Sequence, residues 1–395
     1  MKNSPYGWLE VGWTALKLGL TSFGGPIAHI GYFRTEYVER KRWLSEEVFA
    51  HLTALCQFLP GPASSQLGIA IGIQRAGLLG GIAAWLGFTL PSAVLMIVFA
   101  IAMQGEWLAD AGWLQGLKLA AAAVVAQAVW SMARTLAPDR ARVAMTVFTT
   151  GFTLLLPGAL GQILPLIVCG VIGWLYFKPE PVNAPASFHP AVHSMTAVIC
   201  LAMFTLLLIA LPVIAFTVKD PLLQLTDIGY RAGSLVFGGG HVVLPMLEEE
   251  TVASGIVSDQ QFLAGYAAAQ AVPGPLFTFS AYIGAVSAYG AEGAARAAAM
   301  LVAVFLPSFL LVTGVLPYWE KLRTRSSTRA MLAGVNASVV GLLLAALYDP
   351  IWTVTVHHAI DFVFVLIGFI SLVFWRCPPW LLVIAAAAGG WMVYT

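Results

Sequence analysis

The sequence predicts an all-α polytopic membrane protein built from two inverted-topology repeats with broken or re-entrant helices. Three observations carry that reading. Of 395 residues, 59% are hydrophobic and only 10% charged, where soluble domains carry roughly 25%; the mean hydropathy is +0.84. Glycine- and proline-rich breaks occur twice within apolar sequence, as SFGG (22–25) and QFLPGP (57–62), then as VFGGGH (236–241) and QAVPGP (270–275). Equivalent loops in the two copies also carry opposite charge bias.

Alignment on the breaks gives an offset near 214 residues. Phe23 then pairs with Phe237, Pro60-Gly61-Pro62 with Pro273-Gly274-Pro275, and Leu90-Pro91-Ser92 with Leu306-Pro307-Ser308. The match weakens but continues through Val124-Val125 with Val339-Val340 and Gly173-Trp174 with Gly390-Trp391. Two copies with so long a period indicate a duplicated bundle rather than a solenoid. Residues 1–177 form the first membrane repeat and 222–395 the second. Residues 178–221 join them by a Pro-rich linker and one transmembrane helix.

Lys and Arg collect in cytoplasmic loops. The loop after the first break holds Arg34, Arg40, Lys41 and Arg42, while its counterpart, 245–261, holds Glu248, Glu249, Glu250 and Asp259 and no base. The next pair sets a stretch without Lys or Arg, 104–115, against Lys321, Arg323, Arg325 and Arg329. A third sets Arg134, Arg140 and Arg142 against the base-free 348–361. The bias reverses each time, so the halves are expected upside down to one another.

Apolar runs predict spans at 78–103, 113–132, 143–156, 163–177 and 195–217, then at 294–316, 331–347, 362–375 and 380–394. Four per half plus one joining helix place the N-terminus inside and the C-terminus outside. A further full crossing at 46–74 would put Arg134, Arg140 and Arg142 on the wrong side. That stretch and its partner, 259–286, are therefore expected to be re-entrant hairpins with Pro-Gly-Pro at the tip; a broken spanning helix is the alternative.

Breaks persist in a membrane only where the freed backbone is buried in protein or lines a cavity, and matched breaks in two halves mark a transporter's binding site. A helix beginning there presents unpaired N–H groups and a positive dipole end, which suits an anion. The candidate substrate-binding residues are therefore Phe23, Gly24, Gly25, Pro60, Gly61 and Pro62, with Gly238, Gly239, Gly240, Pro273, Gly274 and Pro275. Ser64, Ser65 and Thr278 add hydroxyls just beyond the tips, although capping their own helices is an equal reading. Gln57 and Gln270 stand three residues before each Pro-Gly-Pro. Lys17 and Arg231, each six residues before a motif phenylalanine, form a pseudo-symmetric positive pair; snorkelling, or pairing with Glu10 and Asp227, is the structural alternative. His29 and His241 flank the glycine motifs.

Other chemistry finds little support. A net charge of +1 excludes a strongly basic nucleic-acid footprint. The four cysteines are scattered in apolar surroundings and read as buried packing residues. The pairs His189/His193 and His357/His358 lack a convincing third ligand, so no metal and no cofactor is expected. No removable signal peptide is expected at the N-terminus. The sequence lacks a GxxxxGK[ST] phosphate loop and a His-Glu-x-x-His site, which argues against an ATP-driven pump and a membrane hydrolase.

At these breaks the sequence resembles the chromate ion transporter family in its long two-domain form. The resemblance rests on FGGPIAHIGYFR (23–34), RWLSEE (42–47), LCQFLPGPASSQLGIAIG (55–72) and GFTLPSA (87–93), with FGGGHVVLPMLEEE (237–250) and AAQAVPGPLFTFSAYIGA (268–285) in the second half. It implies a secondary transporter of a bacterial cytoplasmic membrane, not an enzyme, that exports chromate and confers chromate resistance, with sulfate the isosteric competitor. A sulfate or other oxyanion transporter of the same fold, and a passive anion channel, are the rivals. The lipid bilayer is the expected surroundings, no nucleic-acid partner is expected, and a homodimer is left open.

Overall fold

The computed structural model describes residues 7–104, 112–156, 158–178, 192–237 and 243–394, and among them it contains helices and no strand. In the first half these are α1 (Gly7–Thr21), α2 (Gly25–Phe33), α3 (Glu46–Phe58), α4 (Ala63–Met103), α5 (Gly112–Leu136), α6 (Arg140–Leu155) and α7 (Ala159–Tyr176). The joining helix is α8 (Ser194–Val218). The second half gives α9 (Pro221–Leu235), α10 (Val243–Thr251), α11 (Asp259–Ala271), α12 (Phe279–Val286), α13 (Gly290–Val315) and α14 (Trp319–Arg323). It ends with α15 (Ser326–Ala346), the single turn α16 (Thr353–Thr355), α17 (Ala359–Val373) and α18 (Pro379–Tyr394).

Every span expected from the sequence falls on one of these helices, most with ends shifted by up to five residues, while the span expected from 78 is the second arm of a longer helix that begins at Ala63. Several combine the length and apolar composition needed to cross a bilayer, among them α4, α5 and α8, so the chain is a multi-pass membrane protein. The joining helix α8 is the most exposed: only 6% of its apolar window is buried, against 78% for the window that includes α13. Leu206, Ile209, Val213 and Phe216 are exposed along it, as suits a surface solvated by lipid rather than by water. Local chemistry sets several ends. Ser45 caps α3, its Oγ accepting from the Val48 N–H at 3.3 Å, and Asp220 caps α9 by accepting from the Leu223 N–H at 3.0 Å. Helix α4 bends at Ala76 and Gly77, which separates a first arm, 63–75, from the spanning arm.

The chain divides into two compact units, each drawing on both halves. The first comprises Met1–Ile97, Val182–Gly240 and Val272–Thr324; the second comprises Val98–Pro181, His241–Ala271 and Arg325–Thr395. In the first unit α9 packs along α13, with Gly233 facing Val304; at the equivalent positions, Gly19 of α1 faces Phe88 of α4. Leu52 and Leu55 of α3 share a core with Val312, Leu316 and Trp319 from the other half.

In the second unit the halves trade partners. Helix α7 packs on α15, and the equivalent α18 packs on α5. Glycines permit both approaches: a Cβ on Gly173 would lie 3.0 Å from the Gly334 Cα, and one on Gly390 would lie 2.7 Å from the Gly116 Cα. Small residues let membrane helices approach closely enough for dispersion to hold them together. Thr149 Oγ1 meets Ser338 Oγ at 2.8 Å across α6 and α15.

Both stretches expected to be re-entrant hairpins are interrupted at Pro-Gly-Pro. Helices α3 and α11 have 13 residues each, about 20 Å at 1.5 Å per residue, which is too short to cross a hydrocarbon core of about 30 Å. The arms of the second break, however, belong to different units: α11 packs on α5 and α18, and α12 packs on α13. A self-packed hairpin was the simpler expectation.

Candidate functional site

Both Pro-Gly-Pro tips lie in the first unit. After α3, Leu59 is extended and Gly61 takes φ +116°, and α4 then starts at Ala63. After α11, Gly274 takes φ +102°, and a tight turn over Leu276–Thr278 leads into α12. Only glycine holds this left-handed backbone without strain. The chain also has no spare space there. A Cβ on Gly61 would lie 2.5 Å from Ser308 Oγ, and one on Gly274 would lie 2.8 Å from Ser92 Oγ.

Each tip bonds to the glycine break of the opposite half. The Gly61 N–H donates to the Val236 carbonyl at 2.6 Å, and the Gly274 N–H donates to the Ser22 carbonyl at 2.9 Å. Ser22 and Val236 occupy the same place before their Phe-Gly-Gly motifs. The two bonds are one interaction made twice with the repeats exchanged. They also modify the expectation that the tip amides face an anion: the N–H groups of Gly61 and Gly274 are committed to backbone carbonyls. The N–H groups of Ser64 and Ser65 stand in the first turn of α4, where a helix has no internal partners for them.

Around the first tip lies a buried polar cluster. His29 on α2 is 1% exposed; its Nδ1 meets Ser64 Oγ at 3.3 Å, and its ring faces the Ser22 backbone carbonyl. Phe88 holds the imidazole edge-on, with ring centroids 5.3 Å apart. Gln66 is fully buried, and its Nε2 donates to the Pro60 carbonyl at 2.5 Å and to Ser308 Oγ at 3.4 Å. Ser22 Oγ, Ser65 Oγ, Thr89 Oγ1 and Gln66 Oε1 are buried without a hydrogen-bond partner. The second tip is different. Thr278 Oγ1 donates to the Pro275 carbonyl and Ser280 Oγ to the Phe277 carbonyl, both at 2.8 Å.

The remaining candidates are scattered. Gly24 is left-handed, with φ +98°, and leads directly into α2, which has Pro26 in its first turn. Phe23 and Gly25 complete that break beside it. Pro62 is buried and Pro60, Pro273 and Pro275 line the tips. Gln57 is exposed on α3, whereas Gln270 is half-buried on α11 in the other unit, beside Tyr266. Lys17 is exposed, its Nζ 5.4 Å from the Trp13 ring centroid, on a cavity of about 830 Å³ that Thr21, Tyr32, Glu36 and Arg40 also line. Arg231 is bound to Asp227 on its own helix, Nε at 3.0 Å and NH2 at 2.7 Å. Gly238, Gly239, Gly240 and His241 lie outside the described residues. His357 and His358 donate backbone N–H groups to Asp361, and no group of three metal-ligating side chains occurs among the described residues.

The sequence reading passed over Ser22, Gln66, Thr89, Ser92 and Ser308 as site residues. Ser92 and Ser308 carried a usable signal, because Leu-Pro-Ser recurs in both halves as the third matched motif. Gln66 and Thr89 have aromatic counterparts, so a search for shared residues passes over them.

Two stretches of the chain, 9–174 and 223–391, match the family model described as chromate transporter. The chain is 31% identical over 390 residues to a chromate transport protein of Pseudomonas aeruginosa, covering 96% of this chain and 91% of that one. It is 28% identical to a probable chromate transport protein of Synechococcus elongatus, covering 95% and 93%. It is 27% identical to a chromate transport protein of Cupriavidus metallidurans, covering 84% and 79%. No solved structure matches.

Proposed function

The chain belongs to the chromate transporter family, a family of membrane transporters and not of enzymes, and from that premise we propose that it exports chromate across a bacterial cytoplasmic membrane. The dianion is held at the paired tips while two oppositely oriented repeats alternate access. The observation that carries this reading is the reciprocal pair of bonds, Gly61 N–H to Val236 and Gly274 N–H to Ser22. They join all four breaks of the two repeats at one locus, where the first turn of α4 supplies unpaired N–H groups and Ser64 and Ser65 supply hydroxyls. Lys17, on the turn of α1 equivalent to that of the Asp227-bound Arg231 on α9, sets a positive potential along the approach.

The reversed loop charges support the inverted arrangement. Energetics support the direction. Moving one charge through the membrane potential is worth about 2.3 kcal/mol per 100 mV, so a dianion leaving a negative interior gains roughly 4 to 5 kcal/mol. That exceeds three decades of concentration ratio and would give resistance without ATP.

Chromate and sulfate fluxes in proteoliposomes of the purified protein, measured against imposed voltage, test the proposal. Saturable chromate flux that grows as the chromate-filled side is made negative is the expected result. Voltage-independent flux would remove the electrical drive, and saturable sulfate flux without chromate flux would reassign the cargo. Unitary currents would replace the carrier with a channel. Labelling of introduced cysteines in the 34–42 and 245–261 loops from opposite sides checks the inversion.

A further inference from the structure

The two tips share a backbone but not a chemistry. Aligned on Pro-Gly-Pro, Ser64 and Gln66 of the first repeat stand against Phe277 and Phe279 of the second. Aligned on Phe-Gly-Gly, Ser22 and His29 stand against Val236 and Val243; aligned on Leu-Pro-Ser, Thr89 stands against Phe305. Five positions thus change from polar to apolar in the same direction. At the position just past the tip where both repeats keep a hydroxyl, Ser65 and Thr278, the two differ in use. Thr278 donates to its own turn, whereas Ser65 Oγ has no partner.

We infer that the oxyanion is bound one-sidedly, by Ser22, His29, Ser64 and Ser65 together with the first turn of α4 that Gln66 positions, while the second tip braces the site. This deepens the proposed function and rests on it. Each of these five side chains is at most 2% exposed. A buried polar atom without a partner is costly, more so where no bulk water reaches it. Three such atoms (Ser22 Oγ, Ser65 Oγ and Gln66 Oε1) occur around one helix start. The two hydroxyls and the backbone N–H groups can all donate to one tetrahedral oxyanion, while Gln66 Nε2, bound to the Pro60 carbonyl and to Ser308 Oγ, holds the turn beneath it. The set contains no Lys or Arg. Arg231 is already bound to Asp227, and Lys17 is exposed. The anion is therefore held by dipoles, and its own charge is what crosses the membrane.

Second-repeat equivalents serve as the control. Thr278, the counterpart of Ser65, is fixed by its bond to Pro275, Ser280, the counterpart of Leu67, by its bond to Phe277, and the aromatic counterparts by packing, with the Phe277 and Phe305 ring centroids 6.0 Å apart. Past the second tip, Thr278 and Ser280 thus offer no free hydroxyl.

The test uses the full-length protein in detergent, with chromate, sulfate and molybdate as probes and the ligand-induced rise in Tm as readout. Ser22→Ala and Ser65→Ala should weaken oxyanion affinity at least tenfold, while Thr278→Val and Ser280→Ala should change it less than twofold. The unliganded Tm should hold or rise in Ser22→Ala and Ser65→Ala, since each deletes an unsatisfied buried hydroxyl; a purely structural serine would lower it. Ser65→Thr, which keeps the hydroxyl, should retain binding. Equal losses from Ser65→Ala and Thr278→Val, or unchanged binding in both first-repeat variants, would overturn the one-sided site and leave oxyanion transport standing. Failure of all three anions to shift the unmutated protein would overturn both.

Discussion

Gly61 and Gly274 perform the same task in the two repeats; Ser64 and Phe277, three residues further along, do not. Both glycines hold a left-handed turn against a serine of the other half and donate to its glycine break. Past the turn, the first repeat leaves buried donors unpaired, while the second closes its hydroxyls on its own backbone. A duplicated fold needs both copies of whatever sets its geometry. It needs only one copy of whatever touches an asymmetric ligand, and the other is free to pack.

The shared part should be the least tolerant of change. Gly61→Ala and Gly274→Ala each place a Cβ in left-handed backbone and into a serine side chain. Strain of this kind costs on the order of 1–3 kcal/mol, so thermal unfolding in detergent should show a large drop in Tm for both, with transport lost. Ser308→Ala added to Gly61→Ala should return part of the loss, because it removes the Oγ 2.5 Å from the new methyl. If one glycine tolerates alanine and the other does not, the tips are not equivalent even in geometry.

The helices leading to the breaks come next. Equivalent turns carry Lys17 and Arg231, yet the cations are wired differently. Arg231 is bound through two nitrogens to an Asp227 that is 6% exposed. Lys17 rests over an exposed Trp13, and the acid on its helix, Glu10, serves Lys41 and Arg75 instead, at 3.4 Å each. Breaking a partly buried pair leaves one charge uncompensated, so Asp227→Asn should cost about 1–3 kcal/mol. Glu10→Gln, on a side chain 44% exposed, should cost less than about 1 kcal/mol. Chemical denaturation of both variants measures the difference. The double variant Asp227→Asn with Arg231→Gln should be more stable than Asp227→Asn alone, and non-additivity of that kind identifies the pair.

Much of this was legible in the chain. Spans appear as apolar runs, since a helix in lipid satisfies its own backbone and needs only apolar side chains. The breaks appear as repeated Gly and Pro, since few other residues hold φ above zero. What the sequence leaves hidden is which partner each break finds. Nothing in Pro60-Gly61-Pro62 names Val236 as its acceptor, and nothing in the order of helices shows that α7 packs on α15 as well as on its neighbour α6. The polar-to-aromatic exchange was in plain view at Ser64 and Phe277. Matching the halves for likeness passes over it, because function here lies in where they differ.

The loops after the breaks extend the contrast to pH. In the first repeat Arg34 is paired with Glu39 and Glu46, at 2.6 and 2.7 Å. In the second, outside the expected spans, Glu248 is pushed up to about 8, first by burial and then by Glu249, Asp259 and Asp349. An acid whose pKa is higher folded than unfolded stabilises the fold fully below the unfolded value of 4.5, and that stability disappears as pH rises through about 8. Tm should therefore fall between those limits, and Glu248→Gln should flatten the fall.

Lys17 gives the smallest effect and the finest test. Its side chain is exposed and makes no ion pair among the described contacts, so Lys17→Gln should leave stability within about 0.5 kcal/mol of the parent. If its role is to raise the potential at the cavity it shares with Arg40, the variant should raise the chromate KM about two- to threefold at low ionic strength while kcat holds. Salt should erase the difference, because exposed charges are screened within a Debye length of about 10 Å at 0.1 M. A fall in kcat that persists in high salt would instead place Lys17 at the bound anion. The first repeat would then supply a formal charge as well as dipoles, and the loaded site would carry less net charge than the anion alone.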